Sequence, residues 1–283
     1  MDHITAKKIR ESLTADCTQC FGLCCTALNI LASSDFPINK QAGTACVHLQ
    51  TNYSCQIHSN LREKGFKGCT VFDCLGAGQA VSQITFKGQS WRENPKMGKK
   101  MFQVFPVMEQ LYEMIAYTAE ALTYDIPRAL SDKLSDQLKE LQSLIELDAE
   151  ELLSLDLVVY RYPLNKLLTE TSKYIRENQI ARLSGTRPTK NYNQERTDWI
   201  GKKLKGKDLK GLDFRGAYLI AADMRNTDLR GVDFIGADLR DVDLRGANLS
   251  SSMFLTQMQI NSAKGDVKTL LPPHIQRPSH WIY

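Results

Sequence analysis

From Leu204 onward a large apolar residue recurs every five positions: Leu204, Leu209, Phe214, Leu219, Met224, Leu229, Phe234, Leu239, Leu244, Leu249 and Phe254. Neither the 3.6-residue period of a helix nor the two-residue period of a strand produces that spacing. Two positions before the centres the residues are mostly small or medium, as at Ala217, Ala222, Thr227, Val232, Ala237, Val242, Ala247 and Ser252. Two inward positions in five suit a tight solenoid, in which stacking buries a core that no single repeat could bury alone. The intervening Asp208, Asp213, Asp223, Asp228, Asp233, Asp238 and Asp243, with Lys210, Arg215, Arg225, Arg230, Arg240 and Arg245 after the centres, are expected to face water as a ladder of weak ion pairs.

The units AYLIA, ADMRN, TDLRG, VDFIG, ADLRD, VDLRG and ANLSS resemble the A(D/N)Lxx motif of the pentapeptide-repeat family. The resemblance implies a right-handed quadrilateral β-helix over 204–283, with four pentapeptides per coil. Leu270, Leu271, Ile275 and Trp281 are expected to cap its open end. Some members protect topoisomerase by imitating duplex DNA, which needs a long, acidic rod. Here 206–250 carries eight Asp against seven Lys and Arg. Fewer than three coils at ~4.8 Å spacing give a rod of roughly 13 Å, against about 34 Å for one DNA turn. DNA mimicry is therefore disfavoured, and a protein is the expected partner.

All eight cysteines lie between Cys17 and Cys74, which marks a separate module over 1–85. They run Cys17-x2-Cys20-x3-Cys24-Cys25, then Cys46-x8-Cys55, then Cys69-x4-Cys74. Eight thiols satisfy two closed tetrahedral sulfur sites with none left over. Adjacent Cys24 and Cys25 project in different directions if that backbone is extended, so one could serve each site. Thiolates are soft ligands that suit zinc, as two ions, or an iron-sulfur cluster. A disulfide framework is the alternative, but MDHITAKKIRESL is no secretion signal, and reduced cytoplasmic thiols favour metal. His48 and His58, beside cysteines, rank second as ligands or as partners that orient a ligand.

CTQCFGLCC, CVHL, CQIH and GCTVFDC also resemble a family of zinc- or iron-chelating domains over residues 17–75.

Between these modules, 86–184 is expected to be helical. Pro106 is expected to open a helix carrying Met108, Leu111, Ile115, Ala119 and Leu122. Ser131 is expected to cap one with Leu134, Leu138, Leu141 and Ile145, and Pro163 to open one with Leu164, Leu168 and Ile175. Polar SGTRPTKNYN places a linker at 185–203. The expected architecture is thus multidomain: a Cys-rich metal-binding module, an α-helical middle and the β-helix.

No run of about 18 apolar residues supports a membrane span, and the formal net charge of +4 is too mild to argue for nucleic acid. The leading expectation is a cytoplasmic, non-enzymatic metal-binding protein that acts by occupying a macromolecular target. Chains joining these parts resemble some assigned to resistance against a nucleoside-type antibiotic, which implies resistance or self-protection. The alternative is an iron-sulfur enzyme or redox protein using the Cys cluster, and a metal sensor is a third reading.

Overall fold

The computed structural model describes residues 1–184 and 198–281, so most of the expected linker at 185–203 lies outside the described residues. The chain divides into two compact units, Met1–Thr123 with Arg128–Leu167, and Tyr124–Pro127 with Leu168–Tyr283. Among the described residues no helix is long and apolar enough to cross a membrane.

The first unit holds the Cys-rich segment together with helices α1 (His3–Ser12), α2 (Leu23–Thr26), α3 (Lys67–Val71), α4 (Ala77–Ala80), α5 (Pro95–Ala121), α6 (Arg128–Leu144) and α7 (Ala149–Ser154), and the start of α8 (Leu157–Ser184). Helix α5 is its axis, burying Met101, Val104, Phe105, Met108, Leu111 and Ile115. Its start corrects the sequence reading. Asn94 caps it by accepting the Met97 N–H, Pro95 occupies the first turn, and Pro106 lies inside the helix. A proline inside a helix forfeits one bond, to the Phe102 carbonyl, and the buried face on both sides of Pro106 carries the helix through that loss. Likewise Ser131 and Pro163 lie inside α6 and α8 rather than opening them. Leu134, Leu138 and Leu141 do face inward, all fully buried.

In the second unit the expected right-handed quadrilateral β-helix is overturned: among the described residues there is no β-strand and no sheet. What forms is a stack of turns joined by isolated single-residue parallel bridges, Lys203 with Asp223, Asp208 with Asp228, Asp213 with Asp233, Asp223 with Asp243 and Asp228 with Asn248. Each pair is 20 residues apart, so one circuit takes four pentapeptides. It begins before Leu204, because Asp198 already bridges Tyr218 and Trp199 joins the core.

Strands fail to form because every pentapeptide turns. After each centre from Leu204 to Leu249 the chain closes a bond to the third residue on, as Lys207 N–H to Leu204 O at 3.0 Å and Ala217 N–H to Phe214 O at 3.0 Å. The residue two past the centre takes positive φ, at Gly206 and Gly216 but also at Ala221, Asn226 and Asp241. A corner every five residues interrupts the ladder before a second consecutive residue can join it. The eleven apolar centres are nonetheless buried, Leu219, Met224, Leu229, Phe234, Leu244, Leu249 and Phe254 completely. At the far end Ile275 and Trp281 are buried over α9 (Gln257–Ser262), and the Trp281 indole donates to Ala263 O at 3.0 Å. Leu270, expected in that cap, is half exposed at 50%.

Two outcomes test these assignments. Phe234→Asp places a carboxylate in the sealed interior of the stack and is expected to cost about 4 kcal/mol or more, read as loss of the stack's thermal transition. Glu109, on α5, has its carboxyl pushed from 4.5 to about 7 by burial, with Glu113 adding to the rise. The folded chain therefore keeps a proton that the unfolded chain releases, and stability falls as pH rises from 4.5 through about 7. Glu109→Gln removes that loss. Discounted for partial exposure, it is expected to stabilise the protein by about 1–2 kcal/mol at pH ~8 and negligibly at pH ~4, by urea unfolding.

Candidate functional site

The segment carrying the cysteines has little regular secondary structure, so local bonds place each thiol. The Asp16 carboxylate accepts the Thr18 N–H at 2.9 Å, setting the turn Cys17–Gln19 that presents Cys17 and Cys20. Helix α2 carries Cys24 and Cys25, and the Cys46 N–H donates to Cys25 O at 2.9 Å, joining two distant parts of the motif. Leu49 pairs with Cys55 in an isolated antiparallel bridge, closing the loop between Cys46 and Cys55. Cys69 sits on α3, and Cys74 precedes α4. At Gly78 a Cβ would stand 2.9 Å from Cys20 Sγ and 3.6 Å from Cys74 Sγ, so the missing side chain is what lets those two thiols share one place.

All eight cysteines are free. Their mutual electrostatics show which stand near one another. Burial raises the Cys17 thiol, with Cys20, Cys25, Asp16 and Asp73 adding to the rise. Burial pushes Cys74 to about 11, with Cys20 and Asp73 adding. Burial likewise raises Cys55, with Cys25 and Cys46 adding, and pushes Cys69 to about 12, with Cys25, Cys46 and Cys55 adding. Cys24 donates its S–H to Cys25 at 3.9 Å. That bond raises the Cys24 thiol well above its usual range, helped by burial and by Cys25, Cys20 and Cys17, and it lowers Cys25, which Lys40 lowers further. Cys25 recurs among the influences on Cys17, Cys20, Cys24, Cys55 and Cys69, so the electrostatics join the thiols through the Cys24–Cys25 pair rather than dividing them.

Donor chemistry and number suit two soft tetrahedral ions. Spacing does not yet close around one: among the described residues no group of three or more His, Cys, Asp or Glu side chains stands close enough to hold a metal. The sulfurs would have to draw inward. His48 packs its ring edge-on against Phe66, with centroids 5.2 Å apart, and His58 is exposed on the short turn His58–Asn60.

Lys40 escaped the sequence reading. It is 7% exposed, and its Nζ donates to the carbonyls of Thr26 at 3.3 Å, Gln41 at 3.3 Å and Thr44 at 3.1 Å, and to that of Leu28. Burial lowers its pKa, and the thiols of Cys46, Cys25 and Cys24 oppose that fall. A lysine in a polar loop carries no sequence signal that it will be enclosed.

The Asp rows of the second unit do more than pair with cations. The Asp208, Asp213, Asp228, Asp238 and Asp243 carboxylates accept the N–H two residues on, at 3.1–3.2 Å, bracing the turn that follows. Arg225, Arg230, Arg240 and Arg245 then pair with the Asp two positions before them, each at 2.6 Å. Asp233 departs from the row. It is fully buried, 3.0 Å from Arg215 and bonded to Ser172 of α8, while Arg176 reaches Asp213 at 2.8 Å.

A stack with this register and these turns is that of a repeat protein, and residues 204–250 match the family Pentapeptide repeats in eight copies. The chain is 48% identical over 273 residues, 96% of its own length and 96% of the relative's, to Uncharacterized protein YybG of Bacillus subtilis (strain 168), and it belongs to that protein's family. Neither match speaks to the family of residues 17–75, which stays a resemblance.

The thiol electrostatics predict an order of reactivity. In metal-free, reduced protein at pH ~8, iodoacetamide is expected to modify Cys25 at least about tenfold faster than Cys69 or Cys74, by peptide mass spectrometry. Equal rates would show that the Cys24 hydrogen bond and Lys40 do not lower the Cys25 thiol as described.

Proposed function

We propose that this chain is a non-enzymatic, metal-stabilised binding protein: the Cys-rich module holds two soft ions, zinc foremost, and the repeat stack serves as a surface for a protein target in the cytoplasm. The observation that carries the metal reading is eight free thiols in one segment, a number that fills two tetrahedral sulfur sites with no thiol over and no coordination position open. A closed site suits structure rather than catalysis. Support for a loop segment held by metal also comes from its scarcity of regular secondary structure, since a small, irregular segment needs a staple.

On the stack, Arg225, Arg230, Arg240 and Arg245 are each answered by the Asp two positions earlier, so this part of the surface is a mosaic of short, self-compensated pairs rather than a field of one sign. Such a surface suits a protein partner better than nucleic acid. Protection of that partner from a nucleoside-type antibiotic is the role the resemblance implies.

Elemental analysis of anaerobically purified full-length protein tests the metal reading. About two zinc ions per chain and no colour are expected, and Cys20→Ser combined with Cys46→Ser is expected to lose both. A preparation without bound metal would overturn the proposal. Iron with acid-labile sulfide and a broad visible band would instead establish the redox reading.

A further inference from the structure

The first coil of the stack, residues 198–217, breaks the pairing that the later coils keep. Lys203 bridges Asp223 and Asp223 bridges Asp243, so a lysine holds the register that an aspartate fills in the next two coils. Arg225 and Arg245 each find that Asp at 2.6 Å, whereas Lys205, in their register one coil earlier, follows Lys203. Lys205 comes near Asp223, but the bonds from Arg225 hold that carboxylate. Lys202, Lys203, Lys205 and Lys207 are all exposed, and none makes an ion pair among the described residues.

The main chain of the same coil also lacks acceptors. In the next coil the N–H groups of this register donate backwards, Asp223 to Lys202 O at 2.9 Å, Asp228 to Lys207 O at 3.3 Å and Asp233 to Leu212 O at 3.1 Å. One coil earlier, the N–H groups of Lys203, Asp208 and Asp213 have no hydrogen-bond partner among the described residues. Unpaired main-chain donors at an open edge are a template for another chain's acceptors. Next to the lysines the surface turns apolar: Ile200 is 51% exposed and Tyr218 53%, and Ile220 lies one coil on from Ile200.

Lysines, open N–H groups and an apolar flank narrow the chemistry of what fits. A phosphate backbone would meet Asp198, Asp208 and Asp213 along this edge and offers nothing apolar to Ile200 and Tyr218. A polypeptide with discrete carboxylates between apolar side chains matches all three features. Resting on the reading of the stack as a surface for a protein target, we propose that the partner docks on the first coil and presents an acidic segment interspersed with apolar side chains. Its carboxylates meet Lys202, Lys203, Lys205 and Lys207, and its apolar side chains cover Ile200 and Tyr218. The self-compensated Arg–Asp rows of the later coils take no part.

The test uses full-length protein and the anisotropy of a fluorescein-labelled peptide made of Glu, Asp and Leu. Poly-glutamate, a duplex DNA oligonucleotide and phosphatidylglycerol vesicles are the comparators. The peptide is expected to bind tightest of the four, and less tightly as salt rises. Lys203→Asp gives the first coil the residue its successors carry. Combined with Lys205→Gln, it is expected to weaken peptide binding about tenfold or more while the stack's thermal transition is kept. Lys264→Glu with Lys268→Glu removes more positive charge at the far end and is expected to change binding by less than about twofold. Ile200→Ser with Tyr218→Ser brings the peptide down to the affinity of poly-glutamate. Equal losses from the two ends, or no binding of the peptide, overturn the inference and leave the later coils as the surface for a protein target. Tightest binding to DNA or to vesicles overturns that reading as well.

Discussion

Coil-to-coil hydrogen bonds in the repeat stack link residues about twenty apart, and the rest of the second unit depends on that distance being constant. Leu219 N–H donates to Asp238 O at 3.0 Å and Asp238 N–H returns a bond to Ala217 O at 2.9 Å, and the same pattern recurs one pentapeptide further on. Such bonds keep one register where successive coils have the same circumference, and only at the far end does the circuit widen, where Asp243 bridges Lys264 and Asn248 bridges Leu270. Uniform circumference requires a corner at the same place in each pentapeptide, hence the left-handed residue two past the centre and the carboxylate that braces the turn by accepting the N–H two residues on. Once those are met, the inward centres stack automatically, and Trp199, Phe214 and Phe234 come into successive ring contact at 5.4 Å and 5.9 Å.

The first unit solves the same accounting problem without periodicity. Its cysteine loops satisfy main-chain groups through scattered short-range turns and side-chain caps, and a buried ammonium takes the carbonyls of four separate residues. That arrangement fixes the backbone around the thiols without enclosing them: Cys20, Cys24, Cys25, Cys46, Cys55, Cys69 and Cys74 are only part-buried, and Cys17 is exposed.

How much of this could be read from sequence differs by scale. The period of five made the inward residues legible, because one apolar centre per corner-to-corner interval has no other use. It did not reveal that the ladder would break into single bridges, since that depends on how many residues the turn consumes. Helix faces were visible in Leu134, Leu138 and Leu141, but helix starts were misplaced at Pro106, Ser131 and Pro163. Proline was given its local preference for a first turn, and tertiary burial along α5 outweighed it. The thiol positions were evident; how the loops bring the thiols together, and the enclosure of Lys40 by main-chain carbonyls among them, depended on paths that no periodicity encodes.

Asp233 shows where the repeat pattern itself becomes ambiguous. It occupies the same register as Asp228 and Asp238, yet those are partly exposed while Asp233 is sealed, and its carboxyl is pushed up by burial against the pull of Arg215 and the Ser172 hydroxyl. What distinguishes it is helix α8, whose Ser172 bonds Asp233 and whose Arg176 pairs with Asp213, the residue that bridges Asp233 one coil earlier. A solvated ladder rung has thereby become part of an interior contact. Burying a charged pair is weak support for stability, because desolvation offsets the attraction; Arg215 answers the charge from within the stack, and the bonds of Ser172 to Asp233 and of Arg176 to Asp213 fix the register of the helix on it. The repeat stack thus uses one identical residue for two purposes, and the helix that covers it decides which.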